Sequence, residues 1–276
     1  MKDFAEKKKE LQLGIADYVK NGAVIAFSGG VDSSLLLKLA CDAGDKNNIY
    51  AVTFHTTMHP MNDIEISKKV VKEIGAQHHI IYVDELQEAG ILNNPKERCY
   101  LCKKYLFEQL ILFAQSKQMD VIMEGTNSDD LKVYRPGIKA IQELDIKSPL
   151  AEAHLSKEDV RNMAEQLGIS TAARPSAPCL ATRFPYDTNL THKNMKKVEQ
   201  GEEFLKSLGF FNVRLRIHDT IVRIEIDEKD ILKVLEQKEK IIDYMKKLGY
   251  TYVTLDLEGF RSGSMDAVLS DIVHTK

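Results

Sequence analysis

The chain has 276 residues, 43% of them hydrophobic and 29% charged, with a formal net charge of −3. That length allows a buried core in one large domain or two modest ones. The near-neutral charge argues against nucleic acid as the default partner, and no apolar run approaches the roughly 20 residues of a membrane span.

The lysine-rich stretch from Met1 to Glu10 leads into no apolar run, so no signal peptide is read and a cytoplasmic location is expected. Residues 4–20 read as an amphipathic helix ended by Gly22. Ala23 to Phe27 is a continuous apolar run, the pattern of a strand buried on both faces of a parallel sheet. A glycine turn follows, then a helix from Ser33 to Cys41. Strands are expected at 50–54, 79–83 and 120–123, and helices at 62–75 and 100–118. Residues 135–150, with Pro136, Gly137 and Pro149, read as loop, and 156–167 as a helix. Strand and helix alternate with short connections, which defines an α/β fold with a doubly wound parallel sheet.

The segment 171–188 holds Pro175, Pro178 and Pro185 and reads as a functional loop joining two domains. Beyond it come a helix (191–208), strands at 212–217 and 220–226, a helix (228–247) and a strand (251–256), a smaller C-terminal α+β unit. Val213, Leu215 and Ile217 alternate with Arg214, Arg216 and His218, a half-buried strand with a basic face. The expected domains are therefore 1–170, the loop 171–188, and 189–276, the last for substrate binding and oligomerisation.

Ser28-Gly29-Gly30-Val31-Asp32-Ser33-Ser34 stands at the carboxyl end of the first strand. Ligands of open parallel sheets bind at that end. The two glycines let backbone N–H groups approach an anion, and a helix N-terminus at Ser33 and Ser34 favours negative charge. Asp32 repels phosphate by itself and suits a cation such as Mg²⁺ bridging phosphates. A tight turn without ligand is the bland alternative, and the strand–loop–helix context argues against it. Glu124-Gly125-Thr126-Asn127-Ser128-Asp129-Asp130 follows another buried strand and so reaches the same sheet edge. Taken alone, this run is an ordinary solvated turn. The turn at Ser28 to Ser34 resembles the SGGxDS loop of PP-loop ATP pyrophosphatases, and that resemblance implies that Gly125 and Thr126 line the nucleotide pocket and that Asp129 can help hold Mg²⁺.

Four cysteines are present: Cys41, Cys99, Cys102 and Cys179. Cys41 reads as core. Cys179, in a proline-rich loop between Arg174 and Arg183, is expected to be partly exposed and drawn toward the nucleophilic thiolate. Cys99-Tyr100-Leu101-Cys102 is a CxxC at the start of a helix. Alone it fits a redox pair, half a zinc site or two iron–sulfur ligands. With Cys179 it supplies three thiolates, enough for a [4Fe–4S] cluster with one open iron; the other reading is a structural pair with Cys179 alone reactive.

The loop at 28–34 matches the SGGxDS loop of PP-loop ATP pyrophosphatases. Further matching stretches are Arg98 to Lys103, Glu124 to Asp130, Tyr134 to Gly137, Ser148 to Leu150, Cys179 to Tyr186, Arg214 to Arg216 and Arg223 to Glu225. Together these resemble the LarE family, ATP-dependent sacrificial sulfur transferases. The resemblance implies cleavage of ATP to AMP and pyrophosphate, and adenylation of a carboxylate on pyridinium-3,5-biscarboxylic acid mononucleotide. Sulfur then enters to give a thiocarboxylate for the nickel-pincer nucleotide of lactate racemase. It implies catalytic roles for Cys179, Asp32 and Arg183, and nucleotide contacts from Ser28, Gly29, Gly30, Asp32, Ser33 and Ser34. It places Glu202, Arg214, Arg216, Arg223 and Glu225 near substrate phosphate and a metal, against the bland reading of a solvated charged strand. Single-cysteine members surrender the sulfur of the residue at the Cys179 position; members with the CxxC are thought to use a [4Fe–4S] cluster, and this chain has their pattern. The family forms homo-oligomers. Lys132, Thr182 and Asp187 depart from the family pattern. Lys157 and Arg161 read as surface charges.

Three other readings compete. A tRNA thiolase of the same superfamily needs a basic RNA-binding face. An ammonia-using NAD or GMP synthetase has no use for Cys179. A non-catalytic nucleotide-binding or iron–sulfur scaffold binds ATP without releasing pyrophosphate.

Overall fold

Ala23, Val24 and Ile25 are fully buried because helices cover both faces of their strand. In this computed structural model the strand is β1 (Ala23–Ala26), and the described residues are 3–59, 62–133, 135–174, 178–261 and 264–265. Tyr134 and Pro175, Ser176 and Ala177 of the proline-rich stretch lie outside them. β1 pairs in parallel with β2 (Ile49–His55) and β4 (Ile122–Met123), and β2 with β3 (Gln77–Tyr82), in the order β3-β2-β1-β4.

Side chains alternate across that sheet. Ala23, Ile25, Ile49 and Ala51 face α1 (Phe4–Tyr18), α2 (Val31–Ala43), α3 (Asn62–Ile74), α7 (Pro149–Glu152) and α8 (Lys157–Gln166). Val24 and Val52 face α5 (Arg98–Ser116) and α6 (Gly137–Glu143). A short helix, α4 (Glu85–Glu88), follows β3. Leu35, Leu36 and Leu37 of α2 are all fully buried, each worth about 1.5–3 kcal/mol of transfer free energy. Cys41 joins this core, and burial pushes its thiol up to about 11.

The strand order places the topological switch between β1 and β4, where the chain stops adding strands on one side of β1 and starts on the other. Loops leaving the carboxyl ends of those two strands frame a ligand crevice. They are the loops at 28–34 and 124–130.

The second sheet is β5 (Val213–His218), β6 (Ile221–Ile226) and β7 (Tyr252–Leu255); β5 pairs antiparallel with β6, and β6 parallel with β7. Val213, Leu215, Val222, Ile224 and Ile226 are buried with Met195, Val198 and Leu205 of α9 (His192–Ser207). The helical stretch after β6 is two helices, α10 (Ile231–Glu236) and α11 (Lys238–Lys247), parted at Gln237. This differs from the single helix expected over 228–247.

The chain divides into two compact units, Met1–Ile91 with Glu97–Ala177, and Leu92–Lys96 with Pro178–Lys276. The strip 92–96 joins the second unit through Leu190 N donating to Leu92 O (2.7 Å) and Asp187 N to Asn94 O (3.1 Å). The fully buried Asn94 side chain also donates to the carbonyls of Phe184 (3.3 Å) and Pro185 (2.6 Å). Residues 135–150, expected as loop, carry α6 and α7 instead. Pro149 takes the first turn of α7, where a missing N–H costs nothing.

Candidate active site

In the first unit, α2 begins at Val31, two residues before the expected start, so Asp32 lies in its first turn. Gly29 adopts φ +70°, and a Cβ there would meet the Ser67 backbone at 3.2 Å. Ser28 Oγ accepts from Gly30 N (3.3 Å) and lies 3.2 Å from Ser33 Oγ. Ser34 is fully buried and accepts from Thr171 Oγ1 at 3.1 Å. Ser28, Gly29, Gly30, Asp32, Ser33 and Ser34 thus form one turn at the N-terminus of α2, which has no side-chain cap, an anion-binding geometry.

The loop after β4 lies against this turn. A Cβ on Gly125 would sit 3.0 Å from Ser33 N and 3.1 Å from Asp32 Cβ. Asn127 Nδ2 donates to Asp32 Oδ1 at 3.1 Å. Lys157, at the start of α8, ties both loops: its ammonium pairs with Asp32 Oδ2, and its amide donates to Asp129 Oδ2 at 2.8 Å. Lys157 is therefore more than the surface charge that spacing suggests, and Arg161 donates to the carbonyls of Ala172 (3.0 Å) and Arg174 (3.2 Å).

Buried Glu124 anchors the second loop. It accepts from Thr126 N and Oγ1 (both 2.9 Å), Ser148 Oγ (2.6 Å) and Lys103 Nζ (3.2 Å). Four donors on one carboxylate hold the loop's first turn rigidly. The sequence signal for Glu124 is an acid directly after a buried strand; its partner Ser148 lies 24 residues further along the chain. Nothing local in the sequence marks Lys157 or Arg174, whose partners are distant.

Cys99 is exposed in the first turn of α5, and Arg98 Nη2 lies 3.6 Å from its sulfur; Cys102, one turn on, is half-buried. Among the described residues no three His, Cys, Asp or Glu side chains gather as a metal-holding group. Cys99 and Cys102 belong to the first compact unit and Cys179 to the second. Asp32 and Asp129, both held by Lys157, fit the one or two carboxylates that Mg²⁺ takes alongside substrate phosphates.

In the second unit, half-buried Cys179 precedes a 3-10 turn at Leu180–Arg183. Its carbonyl accepts from Thr182 Oγ1 (2.7 Å) and Arg183 Nη1 (3.0 Å). Arg183 also donates to Pro178 O at 2.8 Å and makes a two-pronged pair with Glu202. Arg216 pairs with Glu225 at 2.9 Å and donates to Thr182 O at 2.9 Å. Arg223 pairs with Asp256 and, at 3.4 Å, with Glu225. Glu202, expected near a metal, meets Arg183 on both oxygens, and Glu225, expected there too, meets Arg216 on one oxygen and Arg223 and Ser264 on the other.

Arg214 differs from its neighbours. It lies 5.3 Å from the Phe260 ring, donates only to Val213 O (2.6 Å), and forms no ion pair among the described residues. Burial, then the Arg183 guanidinium, pull its pKa down. A cation so placed favours an anionic partner.

A family model described as NAD synthase matches residues 4–240. Pyridinium-3,5-bisthiocarboxylic acid mononucleotide synthase of Lactiplantibacillus plantarum is 36% identical over 98% of this chain and 97% of its own length. The chain belongs to the LarE branch of the NAD synthase family of PP-loop proteins. An uncharacterised protein of Synechocystis is 35% identical over 90% of the chain and 93% of its own length. An NH₃-dependent NAD⁺ synthetase of Sulfurisphaera tokodaii is 26% identical over 65% of the chain and 70% of its own length. By that membership this chain is an ATP-dependent enzyme.

Proposed function

We propose that this LarE-type chain thiolates a carboxylate of pyridinium-3,5-biscarboxylic acid mononucleotide, with ATP as the activating reagent. The observation that carries the reading is the convergence of loops 28–34 and 124–130 at the switch point of the parallel sheet. It is supported by the 36% identity along 98% of the chain to the bisthiocarboxylic acid mononucleotide synthase.

The amides of the first turn hold the terminal phosphates of ATP. A substrate carboxylate oxygen attacks the α-phosphorus, and pyrophosphate leaves. A carboxylate is a poor electrophile with oxide as leaving group; the acyl adenylate releases AMP instead. Asp32, with Asp129, is the place for Mg²⁺, which when bound neutralises phosphate charge. Lys157 supplies a positive charge beside Asp32 at the same turn.

The Cys179 thiolate then attacks the acyl carbon and AMP departs, which leaves a thioester. Loss of the Cys179 α-proton and cleavage of its Cβ–S bond release the thiocarboxylate and leave dehydroalanine. Arg183 and Thr182 act from behind, on the Cys179 carbonyl, and keep the thiol on a fixed turn. Arg214, which makes no carboxylate pair among the described residues, suits the phosphate of the mononucleotide.

Mass spectrometry of the chain after one turnover tests this route. Loss of one H₂S from the Cys179 peptide supports it. An unchanged Cys179, with iron and sulfide retained after anaerobic reconstitution, assigns Cys99, Cys102 and Cys179 to a [4Fe–4S] cluster instead.

A further inference from the structure

We propose that Arg174 is a positioning residue for the nucleotide: it fixes the Gly29–Gly30 peptide, and with it the Gly30 amide and the Ser28 hydroxyl that this amide meets, in the turn that takes the terminal phosphates. The inference rests on the reading of loop 28–34 as the ATP site and names a residue that the loop motif does not contain.

Arg174 Nη1 donates to Gly29 O at 3.1 Å, and Nη2 pairs with Asp63 Oδ1 at 2.5 Å. In a planar trans peptide the carbonyl and the next N–H point in opposite directions. A hand on Gly29 O therefore turns Gly30 N–H the other way, where it meets Ser28 Oγ at 3.3 Å. A peptide between two glycines has no Cβ to restrict its rotation. Rotated by half a turn, it would present a carbonyl oxygen to the phosphates and repel them. The guanidinium holds the one orientation that attracts an anion.

The chain around Arg174 is itself tied to the nucleotide loop. Thr171 Oγ1 donates to buried Ser34 Oγ at 3.1 Å, and Arg161 holds the carbonyls of Ala172 (3.0 Å) and Arg174 (3.2 Å). Asp63, in the first turn of α3, fixes the guanidinium from its other side.

Calorimetric titration of the full chain with ATP and with inorganic pyrophosphate tests this. Arg174→Met weakens both by about tenfold or more, the loss of one charge-assisted hydrogen bond, and Arg174→Lys recovers part of it. In single-turnover assays of pyrophosphate release the loss falls on the ATP concentration giving half the maximal rate, with the rate at saturating ATP retained. Asp63→Asn frees the guanidinium and also weakens binding, by a smaller factor. Wild-type affinity in Arg174→Met overturns the proposal. Tighter pyrophosphate binding in Asp63→Asn overturns it too, since a released Arg174 would then be a direct phosphate ligand. If Arg174→Met does not fold, Arg174→Lys and Asp63→Asn decide. A wild-type chain that binds neither ATP nor pyrophosphate removes the nucleotide reading itself, a different failure from the loss of Arg174.

Discussion

Arg183 clasps Glu202 through two parallel bonds of 2.9 Å, Nε to Oε1 and Nη2 to Oε2, with both side chains buried. The same guanidinium holds the carbonyls of Pro178 and Cys179. Glu202→Ala leaves a buried cation uncompensated and is expected to cost about 3–5 kcal/mol. Urea denaturation measures it; an unchanged midpoint would separate the pair from support of the Cys179 turn.

Removal of the thiol separates the two half-reactions. Cys179→Ala is expected to release pyrophosphate at a rate near wild type, to accumulate the acyl adenylate, and to form no thiocarboxylate and no AMP beyond its slow hydrolysis, by chromatography of quenched reactions. Thiolation by that variant would remove Cys179 from the mechanism.

Gly125 meets backbone, which cannot swing aside: a Cβ there would lie 3.0 Å from Ser33 N and 3.2 Å from Asp32 C. Gly125→Ala pushes the two loops apart. The expected outcome is a stability loss of about 1–3 kcal/mol, typical of overpacking, and loss of measurable ATP binding by calorimetry. Retained affinity would show that the loops need not touch.

Asp32 balances Lys157 in the resting turn and carries the Mg²⁺ role once nucleotide arrives. The pair is partly exposed, so Asp32→Asn is expected to shift stability by less than about 1 kcal/mol. Its effect falls on catalysis: pyrophosphate release drops by about 10²-fold or more, the scale for a lost electrostatic element at a reacting group. Stopped-time assays at several Mg²⁺ concentrations check this, and unimpaired release would move the cation site elsewhere.

The parallel sheet and its nucleotide turn were legible because β1 is an unbroken apolar run and the 28–34 motif directly follows it. The second loop was legible for the same reason. Pro136 and Pro149 misled, since a proline that breaks a helix interior is tolerated at a helix start. The strip 92–96 was hidden because its partners, Phe184, Pro185, Asp187 and Leu190, are some ninety residues away. Lys157 was misread on its own helix face; its meaning comes from Asp32, 125 positions earlier. Glu202 and Glu225 carried the acid expected for a metal, and only their tertiary setting reveals arginines on both oxygens.

Acid sensitivity follows from two imidazoles. Burial, then Lys68 and His79, hold His78 below its ordinary value of 6.5. Burial, then Arg223 and Arg216, do the same to His218. As pH falls through about 6.5 the unfolded chain takes up these protons before the folded one does, so stability falls with acidification. Denaturant midpoints are expected to decline from about pH 7 downward, and His78→Gln, which still reaches Thr53, to flatten the decline. A midpoint independent of pH over that window would contradict the assignment.

The most direct measurement is product stoichiometry with purified protein, ATP, Mg²⁺ and pyridinium-3,5-biscarboxylic acid mononucleotide. One AMP and one pyrophosphate per thiocarboxylate formed is the predicted result. Release of ADP and phosphate, or no diphosphate at all, would contradict it.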